Sequence, residues 1–141
     1  MESVREIVII FILNRKAEWF INQRLSTKKL YPNMFGFGAG GKVEEGEDSI
    51  EAAYRELREE TGLERGKGQE LREIGEVIYN DDLVHHRIYL FELITDQAIS
   101  NYDREWSWSD WMLEDKIVQL ISQGEVCPDT VCAYNFYKSC S

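Results

Sequence analysis

The run REIVIIFIL at residues 5–13 constrains the fold more than any other stretch of this chain. It is rich in β-branched side chains and almost continuously apolar, so it reads as a strand. A strand that alternated polar and apolar residues would need cover on one face; this one needs cover on both. It is therefore expected at the centre of a layered domain. EWFINQR at 18–24 alternates well enough to return beside it through a turn at Asn14–Ala17, giving a hairpin. A chain of 141 residues has room for one domain with a proper core but not for two, so residues 1–141 are read as a single domain.

Downstream, residues 25–46 hold Pro32, Gly36, Gly38, Gly40, Gly41 and Gly46. So many breakers exclude a helix and leave a structured loop with room for one short strand. A helix follows, with Asp48 or Ser49 as its cap and Gly62 as its stop. Within it Ile50, Ala53, Tyr54, Leu57 and Thr61 recur at three- and four-residue steps, giving a core-facing stripe with charge on the other side. Strands are expected at 71–80 and 83–94, joined near Asp81 and Asp82, and a shorter one at Trp106–Trp111. A helix at 114–123 ends at Gly124, and a last helix enters through Pro128. Strands interspersed with helices make this an α/β domain with a mixed sheet.

The formal charge of −10 argues against stable binding to nucleic acid or to an anionic membrane, since either polyanion is repelled. The charge is unevenly spread. Acids crowd Glu44–Glu64, whereas Arg15, Lys16, Arg24, Lys28 and Lys29 gather earlier. Acidic oxygens beside a basic strip suit a cation that bridges carboxylates to phosphates, as Mg²⁺ does. Cys127, Cys132 and Cys140 have no metal-ligand spacing and read as reduced thiols. Ile7–Leu13 is too short for a signal peptide or a membrane span, so a cytoplasmic location is the expectation.

Glu56, Glu59 and Glu60 stand at i, i+3 and i+4, which puts their carboxylates on one face of the helix. Three like charges repel, and a divalent cation is the natural compensation. Arg55 is placed to orient one of them through a bidentate contact. The Gly40-Gly41 turn leads straight into this helix and lets backbone approach a ligand closely.

The segment GKVEEGEDSIEAAYRELREETGL, residues 41–63, resembles the Nudix box, G-x5-E-x7-R-E-U-x-E-E-x-G-U with U aliphatic, and matches every defined position. The resemblance extends over about residues 4–123 through strand 5–13, Gln23-Arg24, the YPNMFGFGAGGKV approach and Trp111. It implies an α/β/α sandwich around a mixed sheet and Mg²⁺-dependent hydrolysis, Mn²⁺ being an alternative, of a nucleoside triphosphate or of a nucleoside diphosphate linked to another moiety. It further implies that Glu56, Glu59, Glu60 and the Gly40 carbonyl hold the metal, that Glu47 and Arg55 brace the loop against the helix, and that a metal-activated water attacks phosphorus. Gly41 and Gly62 serve as structural supports, and Arg55 joins the glutamates among the catalytic residues. Ala39 stands where many relatives have proline.

Arg24, Lys28, Lys42 and Phe37 are the candidates for substrate contact, the bases for phosphate and the ring for stacking. Phe35, Trp106, Trp108 and Trp111 read mainly as core. His85 and His86 are adjacent in a strand and point to opposite faces, so they read as structural or substrate-proximal rather than as ligands. Asp103 and Glu105 lie where some Nudix enzymes recruit an additional acid. The expected partner is a small diphosphate or nucleotide, with the chain a monomer or homodimer. Two other functions stay open. One is isomerisation of an isoprenyl diphosphate, disfavoured because no cysteine stands near the glycine loop in the sequence; the other is a non-catalytic nucleotide sensor.

Overall fold

The computed structural model describes residues 4–66, 68–100 and 106–140. Within them a seven-stranded mixed sheet and three helices follow in the order β1 (Arg5–Leu13), β2 (Glu18–Arg24), β3 (Phe35–Phe37), β4 (Ala39–Lys42), α1 (Ser49–Thr61), β5 (Arg72–Asn80), β6 (His85–Ile94), β7 (Trp106–Leu113), α2 (Glu114–Ser122) and α3 (Pro128–Ser139).

β1 is central, as its composition requires. It runs parallel to β6 over its whole length, from Arg5↔His86 to Leu13↔Ile94. Its side chains alternate between two cores. Val8, Ile10 and Ile12 join Ala52, Ala53 and Leu57 of α1 on one face, while Ile9 and Phe11 join Ile117 of α2 and Ala133 and Tyr134 of α3 on the other. Full burial of an aliphatic or aromatic side chain is worth about 1.5–3 kcal/mol. Five buried neighbours in one strand therefore outweigh any local preference and fix the sandwich.

The expected hairpin forms only at its tip. Asn14 Oδ1 accepts the Lys16 and Glu18 N–H groups at 2.9 and 3.0 Å, shaping the turn. β1 and β2 then pair only at Leu13↔Trp19. Beyond that point they part: β2 pairs antiparallel with β3 and β7, and β1 takes β4 along Ile7–Ile10. The loop expected to hold one short strand thus supplies two, one to each side of the split.

Only glycine lets the chain cross this gap. Gly38 has φ +75°, and a Cβ there would lie 1.7 Å from the Ile10 carbonyl oxygen. That position combines a left-handed backbone with backbone contact too close for any side chain.

The ends of α1 follow the sequence closely. Asp48 accepts the Glu51 N–H while Glu51 reaches back to the Asp48 N–H, a capping box. Gly62 closes the helix at φ 79°, giving its N–H to the Arg58 carbonyl.

Candidate active site

Strand alternation makes β4 the hinge of the site. The backbone of Gly38 faces β2, donating to the Phe20 carbonyl at 2.8 Å and accepting from the buried Asn22 amide at 2.6 Å. Gly40 and Lys42 turn the other way, toward α1. The Gly40 N–H donates to Glu60 Oε1 at 3.0 Å, and the Lys42 carbonyl accepts from Arg55 Nη2 at 2.9 Å. A strand residue points its N–H and its C=O to the same side, so the Gly40 carbonyl also faces the helix. Gly41 is needed for a different reason: a Cβ there would lie 2.4 Å from the Glu56 carboxyl carbon, inside the space the carboxylate fills.

Arg55 organises the helix face. Its Nε and Nη2 hold Glu47 at 2.7 and 3.0 Å, and Nη1 donates to Glu56 Oε1 at 2.8 Å and Glu59 Oε1 at 2.9 Å. Glu47 Oε1 also accepts the Glu44 N–H at 2.9 Å. The guanidinium first, and that N–H after it, hold the Glu47 carboxyl below its ordinary range. Arg55 is in turn held more firmly protonated, with Glu47 the largest cause. The like-charge repulsion inferred from sequence is therefore offset in part by an arginine placed among the acids. The structure places Arg55 as a brace, joining β4, the loop and α1, rather than as a group facing the cleft.

The carboxylates share a helix face but differ in setting. Glu56 and Glu59 share Arg55, whereas Glu60 leans on Gly40. Among the described residues no three acidic, histidine or cysteine side chains converge into a ready-made metal cage. The donor set nevertheless fits a hard cation: carboxylate and carbonyl oxygens, with Gly41 leaving room for Glu56 against β4. Mg²⁺ needs only one or two protein carboxylates when phosphate oxygens complete its shell.

Where β1 and β2 part, a cleft of about 250 Å³ opens. Glu60 is its contribution from α1; Arg24, Lys28 and Lys42 line it too, and Arg5 joins them. Arg24 is steadied by its Nε donating to the Leu30 carbonyl at 2.9 Å. Lys29 is exposed and outside the lining. Phe37 is placed otherwise than expected. It contributes to the cleft floor, but its ring is buried in edge contacts with Trp19 and Tyr134, so it packs the core instead of offering a stacking face. Trp106 is buried on Phe20 and also lines the cleft, Trp111 packs on Phe20, and Trp108 meets Phe35 edge-on. Asp103 and Glu105 lie outside the described residues.

The far wall was not legible in the sequence. The segment before α3 zips onto β3: Phe35 N–H donates to the Glu125 carbonyl and Cys127 N–H to the Phe35 carbonyl, both at 2.9 Å. This brings Cys127, Asp129 and Thr130 into the cleft beside His86. Cys127, distant from the glycine loop in sequence, thus lines the same cleft as Gly40 and Gly41, because contact across β3 brings together residues far apart in the chain. Burial first, and Asp129 second, push the Cys127 thiol up to about 12, so it stays protonated. Tyr31, also on the wall, donates to Asp81 at 3.3 Å, as Tyr79 does at 2.7 Å. Burial, ahead of the Asp129 and Asp81 charges, raises the Tyr31 hydroxyl. Pro128-Asp129 gave only a helix entry; nothing local announces that its carboxylate meets a strand 43 residues earlier.

A family model described as the NUDIX domain matches residues 4–126. An uncharacterised Nudix hydrolase of Pseudomonas aeruginosa is 26% identical over 128 residues, covering 91% of this chain and 74% of that one. A Nudix hydrolase of Deinococcus radiodurans is 27% identical over 124 residues, covering 88% and 71%. Among solved structures, the MutT protein of Methanosarcina mazei superposes with a TM-score of 0.78 at 20% identity, covering 99% of this chain and 94% of that one. The NUDIX domain of Shewanella oneidensis NrtR, cocrystallised with ADP ribose, does so with a TM-score of 0.76 at 15% identity, covering 99% and 89%.

Proposed function

The chain belongs to the Nudix family and is a pyrophosphohydrolase acting on acid anhydrides, and on that premise we propose that it hydrolyses, with Mg²⁺, a phosphoanhydride bond in a nucleoside triphosphate or in a nucleoside diphosphate linked to another moiety. One observation carries the reading. Glu60, fixed by the Gly40 N–H, enters the same cleft as Arg24, Lys28 and Lys42, so carboxylate oxygens and ammonium or guanidinium groups face one space. A diphosphate and a divalent cation together complement that pairing; neither does alone.

Nudix hydrolases generally use divalent metal ions. Glu56, Glu59, Glu60 and the Gly40 carbonyl would hold the ion here, which supplies Lewis acidity and screens the substrate's charge. Arg24 and Lys28 bind the phosphate chain, and Lys42 neutralises it from the rim. Arg55 acts through the carboxylates it holds and is a positioning residue.

The test is turnover of a panel of nucleoside triphosphates, ADP-ribose, dinucleoside polyphosphates and isopentenyl diphosphate, with Mg²⁺ or EDTA, by wild type and Glu60→Gln. Glutamine keeps an oxygen for the Gly40 N–H, so the fold survives while the charge is lost. Metal-dependent hydrolysis reduced about a hundred-fold or more in Glu60→Gln supports the reading. Mg²⁺-dependent binding without turnover would replace it with a nucleotide sensor, and conversion of isopentenyl diphosphate without water uptake would replace it with an isomerase.

A further inference from the structure

The cleft lies where strand pairing gives least support. β1 and β2 pair only at Leu13↔Trp19, so they part toward Arg5 and Arg24, both of which line the cleft. The β5–β6 turn lies at that same end, because His86 pairs with Arg5 and with Tyr79. In the sheet order β3-β2-β1-β6-β5, β2 and β5 stand three spacings apart, roughly 14 Å.

Residues 25–34, between β2 and β3, bridge that distance. Lys28, Leu30 and Tyr31 of this loop line the cleft. One side of the loop is tied to β2: Gln23 Nε2 donates to the Asn33 carbonyl at 3.0 Å, and Arg24 Nε to the Leu30 carbonyl at 2.9 Å. The other is tied to the β5–β6 turn, where the Tyr31 hydroxyl donates to Asp81 Oδ2 at 3.3 Å. Tyr31 and Asn33 stand at φ 52° and 64°, a left-handed backbone that residues other than glycine rarely adopt. Such conformations persist where surrounding contacts impose them.

Asp81 is built as an anchor. Oδ1 accepts the Leu83 and Val84 N–H groups at 2.7 and 2.8 Å, and Oδ2 accepts the Tyr79 hydroxyl at 2.7 Å as well as that of Tyr31. The Tyr79 hydroxyl first, with the N–H groups of the turn, lowers the carboxyl to about 2, so it is ionised at neutral pH. A line of contact then runs from Asp81 through Tyr31 to the neighbouring Leu30 carbonyl, and from there to the Arg24 guanidinium.

We propose that Tyr31 and Asp81 form a strap across the cleft, two positioning residues that hold the loop closed so that Arg24 and Lys28 meet the phosphates of the substrate. The strap rests on the phosphate role given to those two bases above. Releasing the Tyr31 hydroxyl frees the loop and weakens substrate binding, while the carboxylates of α1 keep their own contacts with Gly40 and Arg55. KM is then the quantity that moves, and kcat is not.

The test compares Tyr31→Phe with Tyr79→Phe. Each removes one hydroxyl from the same Asp81 oxygen, but only Tyr31 belongs to the loop. Limited trypsin digestion of the full native chain reads loop opening at Lys28 and at the exposed Lys29, without any turnover. Tyr31→Phe is expected to speed cleavage at those two sites about five-fold or more, the effect of one hydrogen bond to a charged group. On whichever panel substrate is turned over, KM rises by a similar factor and kcat stays within about two-fold. Tyr79→Phe changes neither. In an Asp81→Ala background, adding Tyr31→Phe produces no further rise, because the bond is already gone. Cleavage unchanged in Tyr31→Phe overturns the proposal. Equal acceleration by Tyr79→Phe overturns it too, since the turn and not the strap would then set the loop. A rise in KM without faster cleavage puts the Tyr31 hydroxyl on the substrate itself and removes the strap; a fall in kcat removes the positioning role. If no panel substrate is turned over, the hydrolase reading fails while the trypsin comparison still decides the strap.

Discussion

Replacing Gly41 by alanine separates the site's stability from its chemistry. The residue has no left-handed backbone to lose, and the three atoms nearest a new methyl are those of the Glu56 carboxylate, at 2.4–2.6 Å. Ordinary contact begins at 3.4 Å, so the carboxylate must retreat by about 1 Å. It is the end of a flexible side chain and is able to do so. The movement strains the 2.8 Å contact with Arg55, a partly exposed charged pair worth about 0.5–1 kcal/mol. Adding a modest packing strain, the total is roughly 1–2 kcal/mol, a fall in Tm of about 3–8 °C for a chain of this size. The chemistry is hit harder, because a 1 Å displacement of a catalytic group costs about a hundred-fold in rate. Gly38→Ala is the comparison. There the methyl meets the Ile10 carbonyl oxygen at 1.7 Å, with φ at +75°, and neither backbone is able to yield. The left-handed conformation alone costs about 1–2 kcal/mol, and displacing the central strand adds more, so this variant is expected to lose most of its folded population. Thermal melts and kcat/KM on the same preparations decide the matter. If Gly41→Ala keeps full activity, or melts as early as Gly38→Ala, then Glu56 does not occupy the space that Gly41 leaves, and the metal-site geometry built on it is wrong.

The Glu47–Arg55 pair gives a pH signature. Because the folded-state pKa of Glu47 is lowered from 4.5, its stabilisation is present above that value and is lost as the pH falls through the lowered one. Glu47→Gln is therefore expected to melt below wild type at pH 7, with the gap closing toward pH 3; a gap that widens in acid would show the sign to be wrong. The cysteines are expected to react with a disulfide reagent in the order Cys140, Cys132, Cys127, following exposure and the rise of the Cys127 thiol to about 12. Fast labelling of Cys127 under native conditions would contradict its burial in the cleft wall.

Much of the acidic half of the candidate site was legible because it is local. Asp48 and Gly62 set the ends of α1, and helical geometry alone put Glu56, Glu59 and Glu60 on one face. What local spacing did not reveal was how the three are held. Arg55 takes two of them, and the third goes to a backbone N–H on a strand that the glycine run was not expected to form.

The Phe37 ring shows the opposite failure. The sequence offered it as a ring for stacking, but the antiparallel register Ile21↔Phe37 buries it.

The sequence by itself determined the central strand, the α/β class and the acidic helix, because hydrophobic period, caps and side-chain spacing act over a few residues at a time. Only the tertiary structure decided that β1 and β2 part after one pair, that β4 enters beside β1, and that the start of α3 lands on β3 so that Asp129 meets His86. Those outcomes depend on which distant surfaces bury the most apolar area together. That choice is settled by packing across the whole core and leaves no periodic trace in the chain.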